Sequence, residues 1–272
     1  EVVALGRELV EAGMSQVGQS NDEGETGQEL ASCLPVLFDA VLRSKLEPAQ
    51  KVLYWIDVLL QDDCGYFDDA ADIAEEGGFG PEVWSEVADL LSARLRGKPL
   101  PASANFSDRY SRERMTATLV DALTRAGRSA ELVPLMESEA RLTGSYPQLV
   151  RTLLAEDRHA EAERWAREGI AATAEDWPGI AADLAEMLKE LAQKHKHWKV
   201  VAAHAAADFF ETPHLGSLNE LLKAARKAKC ERAVRAGAMQ FLETGRLPIA
   251  RLARPAMMSR PARRGKTAPP PA

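Results

Sequence analysis

Aromatic residues make up only 6% of this 272-residue chain. No apolar run approaches the ~20 residues that cross a bilayer as a helix, which excludes a transmembrane span. The start shows no basic-apolar-small signal pattern. Cysteine is nearly absent: Cys33, Cys64 and Cys230 are odd in number and far apart. That excludes a disulfide framework and points to a reducing, cytoplasmic setting. The chain opens at Glu1 instead of Met, so a fragment or processed product is expected, with any targeting signal in upstream sequence. Acids are missing after Thr244, where seven basic residues (Arg246, Arg251, Arg254, Arg260, Arg263, Arg264 and Lys266) accumulate. The net charge is −7, so setting those seven aside leaves the body at −14. An acidic body disfavours nucleic acid, whereas a basic tail is able to reach phosphates.

What is present is helical. Hydrophobic residues reach 46%, enough for a folded core, and Ala, Leu, Glu and Arg lose little side-chain freedom in a helix. The length suits one elongated domain or two compact ones. Apolar spacing predicts a first helix over Val2–Met14, facing inward through Val2, Val3, Leu5, Leu9 and Val10. A polar loop follows over 15–27. Next comes a helix over Gln28–Ser44, with Pro35 as a kink or a later start. Pro48 opens Pro48–Gln61, a short helix is expected near 67–76, and Pro81–Leu95 is another. The Pro-rich stretch 97–107 reads as an internal boundary, with Ser107 capping the next helix.

Paired helices then recur. Leu119 belongs to a helix ending at Gly127, followed by Ser129–Leu142. The clearest copy is Leu149–Thr173. Trp177–Lys194 pairs with Trp198–Phe210, and His214–Ala228 with Glu231–Leu242. The pairs start about 30 to 38 residues apart, near the ~34 of tetratricopeptide repeats. Close crossing needs small side chains. The clear copy supplies Ala162 and Gly169, whereas Leu132 and Glu139, then Val201 and Asp208, stand there in its neighbours. The expected fold is all-α: antiparallel helix pairs stacked as an irregular tetratricopeptide-like α-solenoid. The expected organisation is an N-terminal helix and linker (1–27), a helical subdomain (28–96), repeats (107–245) and a disordered basic Pro/Ala-rich tail (246–272).

Chemistry is sparse. Arg264-Gly265-Lys266-Thr267 ends like a phosphate loop, but Arg260 stands where the first glycine belongs. His195, His197 and His204 cluster near a helix junction with His214 close in sequence. Residues two apart do not share a helix face, so solvated or packing roles are expected over zinc ligation. Asp62, Asp63, Asp68, Asp69 and Asp72 lack a calcium-loop pattern and read as a solvated loop. Cys33 and Cys230 read as small core residues, and Cys64 as a loop thiol blunted by neighbouring carboxylates. Trp55, Trp84 and Trp165 fall at core spacing. Trp177 and Trp198 begin helices and are candidates for partly exposed binding anchors. The tail has no aromatic residue for base stacking.

One stretch is more specific. Leu34–Asp63, LPVLFDAVLRSKLEPAQKVLYWIDVLLQDD, followed by the acidic segment from Tyr66 to Gly78, resembles the helical region of bacterial SWIM zinc-finger family proteins. In that family a zinc finger precedes a helical-repeat tail. The family's CxC and CxH signature is absent here, so the resemblance implies zinc only in upstream sequence. No catalytic, cofactor or metal residue is assigned in this chain, and no membrane partner is expected. The first expectation is a non-catalytic scaffold for a protein or peptide partner. The second is an accessory region of a nucleic-acid-binding protein, with contact through the tail or an upstream finger. An enzyme with an unrecognised site ranks last.

Overall fold

Proline marks where several helices begin. Pro48, Pro81 and Pro178 each occupy a first turn, where a missing N–H costs nothing. The computed structural model describes residues 2–19, 21–67, 77–101 and 103–247. In chain order the helices are α1 (Val2–Val17), α2 (Glu25–Leu42), α3 (Pro48–Leu59), α4 (Pro81–Gly97), α5 (Phe106–Arg125), α6 (Leu132–Thr143), α7 (Tyr146–Ala155), α8 (His159–Thr173), α9 (Pro178–Lys194), α10 (Trp198–Glu211), α11 (Leu215–Lys227) and α12 (Glu231–Thr244). A short 3-10 turn, Ser129–Glu131, precedes α6. The described residues contain no strand. The protein is all-α, and from α1 to α6 and again from α7 to α12 helices adjacent in sequence pack on one another, as in a helical-repeat fold. The expected short helix near 67–76 and the tail beyond Leu247 lie outside the described residues.

The chain divides into two compact units, Glu1–Ser145 and Tyr146–Ala272. The stretch 97–107 joins α4 to α5, and these two helices pack together within the first unit. That stretch ends in a cap, though at Asn105 in place of Ser107. The Asn105 side chain accepts the Asp108 N–H at 2.9 Å, and the Asp108 carboxylate accepts the Asn105 N–H at 3.0 Å. Two orphan amide groups are satisfied reciprocally.

In the first unit, α1 to α3 enclose Leu34, Phe38, Val41, Trp55 and Phe67. The Trp55 ring lies 5.4 Å from Phe38 and 5.8 Å from Phe79. α2 runs through Pro35 from its start at Glu25, so the proline marks no later start. Both α1 and α2 extend further into the polar stretch 15–27 than expected. The predicted face of α1 is corrected. Leu5 and Leu9 are exposed, and Val10 is buried between Gly6 and Gly13. A Cβ on Gly6 would meet Leu37 Cδ1 at 2.0 Å, and one on Gly13 would meet Leu30 Cδ2 at 2.7 Å. The glycines let α2 leucines lie against the α1 backbone, and that close approach decides the face.

A second cluster joins α3, α4 and α5 through Val52, Ile56, Trp84, Leu91, Leu119 and Leu123. Arginines fasten its edges. Arg112 of α5 holds Glu139 of α6 with two bonds, Nε to Oε2 at 2.6 Å and Nη2 to Oε1 at 2.8 Å. Its Nη1 donates to the Lys98 carbonyl at 2.7 Å. Both side chains are nearly buried, at 11% and 5% exposed. Glu139 therefore fills a position that close crossing would give to a small residue, with its charge matched on the spot.

In the second unit, α7 to α12 pack each on the next, and α9 also reaches α7. Gly169 of α8 is the close-crossing point: a Cβ there would meet Leu184 Cδ1 at 2.5 Å and Tyr146 Cβ at 2.8 Å. Phe209, Leu221, Ala225 and Val234 continue the core toward α12.

One turn geometry recurs through both units. Gly127, Asp157, Lys196 and Lys229 each close a helix with positive φ, at 71°, 56°, 58° and 58°. Each is followed by an amide bonded five residues back: Arg128 to Leu123, Arg158 to Leu153, His197 to Ala192 and Cys230 to Ala225, at 2.8–2.9 Å. This is the helix-closing pattern that needs a left-handed residue. Glycine suits it best, and the aspartate and lysines tolerate some strain to keep it.

Candidate functional site

The two turns at Asp157 and Lys196 build the most distinctive surface of the second unit. Each sends the chain from one helix into the next, so the residues just beyond them cluster. His159 follows Asp157 at the head of α8. His195 and His197 flank Lys196 between α9 and α10. The His159 and His195 rings meet edge to face with centroids 4.9 Å apart, and His195 and His197 lie 6.0 Å apart. His159 Nε2 is 3.5 Å from Asp157 Oδ1, and its Nδ1 is buried without a hydrogen-bond partner.

These rings edge a groove of about 480 Å³ formed by α8, α9 and α10. Leu188, Leu191 and Ala192 come from α9, Val200 and Ala203 from α10, and Ala160 from α8. Glu163, Arg167, Lys199 and His204 complete the walls. Glu163 and Arg167 pair across one turn of α8. Burial pushes the half-buried His204 below the ordinary histidine range, against the opposing pull of Asp208. His204 is half-buried, while His195 and His197 are exposed to solvent.

The sequence placed His195, His197 and His204 together, and the structure agrees. It adds His159 and removes His214, which lies outside the groove as the cap of α11. There His214 Nδ1 accepts the Ser217 N–H at 3.2 Å. Only the equivalence of the Asp157 and Lys196 turns signals His159, and it shows when copies are aligned on the turn and not on helix starts. Among the described residues, no group of three or more His, Cys, Asp and Glu is arranged to hold a metal ion.

The other candidates resolve individually. Asp62 is buried and accepts the amides of Cys64 and Gly65 at 3.0 Å each, and that of Phe67 at 2.6 Å. It organises its loop, contrary to the solvated reading. Asp63 pairs with Arg114 at 2.9 Å. Asp68, Asp69 and Asp72 lie outside the described residues, as do Arg264 to Thr267 and the tail arginines from Arg251 on.

All three cysteines are free. Cys33 is exposed, which corrects the core reading: Leu30, Leu34 and Leu37 take the inner face of α2 and leave Cys33 outside. Cys230 is half-buried against the core of the second unit, and Cys64 is exposed in its loop. Trp55, Trp84 and Trp165 are buried as expected. Trp177 and Trp198 are half-buried. Lys227 Nζ sits 4.0 Å from the Trp198 ring centre, so one face of that half-buried ring is occupied by its own chain.

No described helix is long and apolar enough to cross a membrane. Compared with known proteins, the chain matches no family model, no curated protein and no solved structure.

Proposed function

We propose that this chain is a non-catalytic, tetratricopeptide-like helical scaffold that presents the groove of α8, α9 and α10 to a protein or peptide partner. One observation carries the reading: three consecutive helices, with the same turn leading into α8 at Asp157 and joining α9 to α10 at Lys196, expose an apolar floor inside a polar rim. Recognition grooves are built from such apolar surface with a few convergent polar groups. The residues lining it include no Ser, Thr, Cys or Tyr for a histidine to activate, which favours display over catalysis.

On the same reading the chain is the helical part of a protein related to the SWIM zinc-finger family, and zinc would be held outside this chain. Its setting is the cytoplasm. Three free cysteines, two of them exposed, suit a reducing compartment.

The test is a peptide array of varied composition probed with the wild-type chain and with Ala203→Glu, which sets a charge on the groove floor. Peptides retained by the wild type and lost by the variant support the reading. Retention of the same peptides by both overturns it.

A further inference from the structure

We propose that this groove takes an acidic peptide bearing aliphatic side chains, and grips it more tightly once the rim histidines protonate. The proposal rests on the groove being the display face.

The floor accounts for the aliphatic part. Leu188, Leu191, Val200 and Ala203 line a cavity of about 480 Å³, inside the ~300–1,000 Å³ range of ligand pockets. Aliphatic side chains entering it leave water, which is the main favourable term in such binding.

The rim accounts for the sign. Residues 194–199 read Lys-His-Lys-His-Trp-Lys, with no acid, in a chain whose net charge is −7. This turn reaches the groove through His195, His197 and Lys199. The acids facing it are already matched. On α8, Glu163 pairs with Arg167. In the turn before α8, Asp157 lies 3.5 Å from His159 and 3.9 Å from Lys194. Behind His204, Lys189 bonds Glu186 of α9 at 2.8 Å and lies 3.7 Å from Asp208 of α10. Lys199 and the histidines therefore set the charge that a partner meets.

The histidines make that charge conditional. The rings of His159, His195 and His197 follow one another at 4.9 Å and 6.0 Å. Positive charges on rings at that spacing repel one another. A carboxylate seated among them relieves the repulsion and raises their proton affinity. By the same linkage, falling pH raises affinity for the carboxylate. Histidine is the side chain that changes charge between about pH 5 and pH 8, so binding is compared at about pH 7.5 and pH 5.5.

The experiment is fluorescence anisotropy on the full chain, with EDTA present. The probe is a fluorescein-labelled peptide carrying leucines at helical spacing among aspartates, which stay ionised over this range. Comparison peptides place the same leucines among lysines or among glutamines. The expected result is tightest binding of the aspartate peptide, with Kd falling roughly tenfold from pH 7.5 to pH 5.5. The double variant His195→Gln with His197→Gln should lose most of that dependence. Circular dichroism checks that each variant remains folded.

Preference for the lysine or glutamine peptide, lost in Ala203→Glu, overturns the acidic partner and leaves the display face standing. Undiminished pH dependence in the histidine variant overturns the proposed switch. Binding of the aspartate peptide that Ala203→Glu leaves unchanged overturns both the partner and the display face.

Discussion

Removing the Glu139 carboxylate strands the Arg112 guanidinium in a nearly closed site. Stripping one partner from a buried ion pair costs ~3–5 kcal/mol. Arg112 keeps its bonds to the carbonyls of Lys98 at 2.7 Å and Leu95 at 3.4 Å, so Glu139→Ala should fall near the lower end, at about 3 kcal/mol. With a urea slope of ~1–3 kcal/mol per molar, the midpoint should drop by about 1–3 M. Replacing both partners, Arg112→Met with Glu139→Leu, removes the stranded charge and fills the space. Exchanging the ion pair itself for apolar contact is close to neutral, and the two carbonyl bonds are lost at about 1 kcal/mol or less each. The double variant should therefore be more stable than Glu139→Ala alone. Urea unfolding followed by circular dichroism measures the order. Hydrogen exchange of α5 and α6 amides assigns the transition to the first unit. A double variant as unstable as Glu139→Ala, or a Glu139→Ala loss below about 1 kcal/mol, would refute the reasoning.

Two further outcomes follow from the second unit. Gly169→Ala places a methyl group 2.8 Å from Tyr146 Cβ, an atom fixed to its backbone. Overpacking of about 1–3 kcal/mol should outweigh the ~1 kcal/mol that alanine gains in helix propensity, lowering Tm; an unchanged or raised Tm would show that the crossing is loose. Glu231 bonds Arg226 and Arg235, which hold its carboxyl down at about 2, from an ordinary 4.5. A depressed folded value means that its stabilising contribution is full above the ordinary range and fades as pH falls toward about 2. Glu231→Gln should then melt earlier than wild type at neutral pH and converge with it near pH 2. An NMR midpoint for the Glu231 carboxyl near 4.5 would remove the basis for this prediction.

Much of the architecture was legible because apolar periodicity and proline position act locally. Pro48, Pro81 and Pro178 fixed helix starts, and Leu149–Thr173 folds as the helix pair its spacing implied. The failures arose where specific contacts, and not the apolar period, decided the outcome. The inner face of α1 was set by Gly6 and Gly13, whose role depends on leucines of α2. Cys33 lost its core place to the leucines around it. Asp62 turned inward because three amides of its own loop needed an acceptor. The groove was half legible: His195, His197 and His204 lie close in sequence, but His159 joins them only because Asp157 and Lys196 close their helices alike. Position +12 from each turn shows the limit of pattern matching. Glu139, Gly169, Asp208 and Phe241 stand there, and the first two solve the crossing by different means, a matched charge and a missing side chain.

The central claim is that the groove of α8, α9 and α10 is the face this protein presents to a partner. Amide NMR shifts of the full chain, recorded during titration with the leucine–aspartate peptide at pH 5.5, test it most directly. The expected changes map to His159–Arg167 of α8, to Leu188–Ala192 of α9 and to the stretch from His195 to His204. Changes centred on another surface of either unit, or saturating binding that leaves these amides unmoved, would contradict the account.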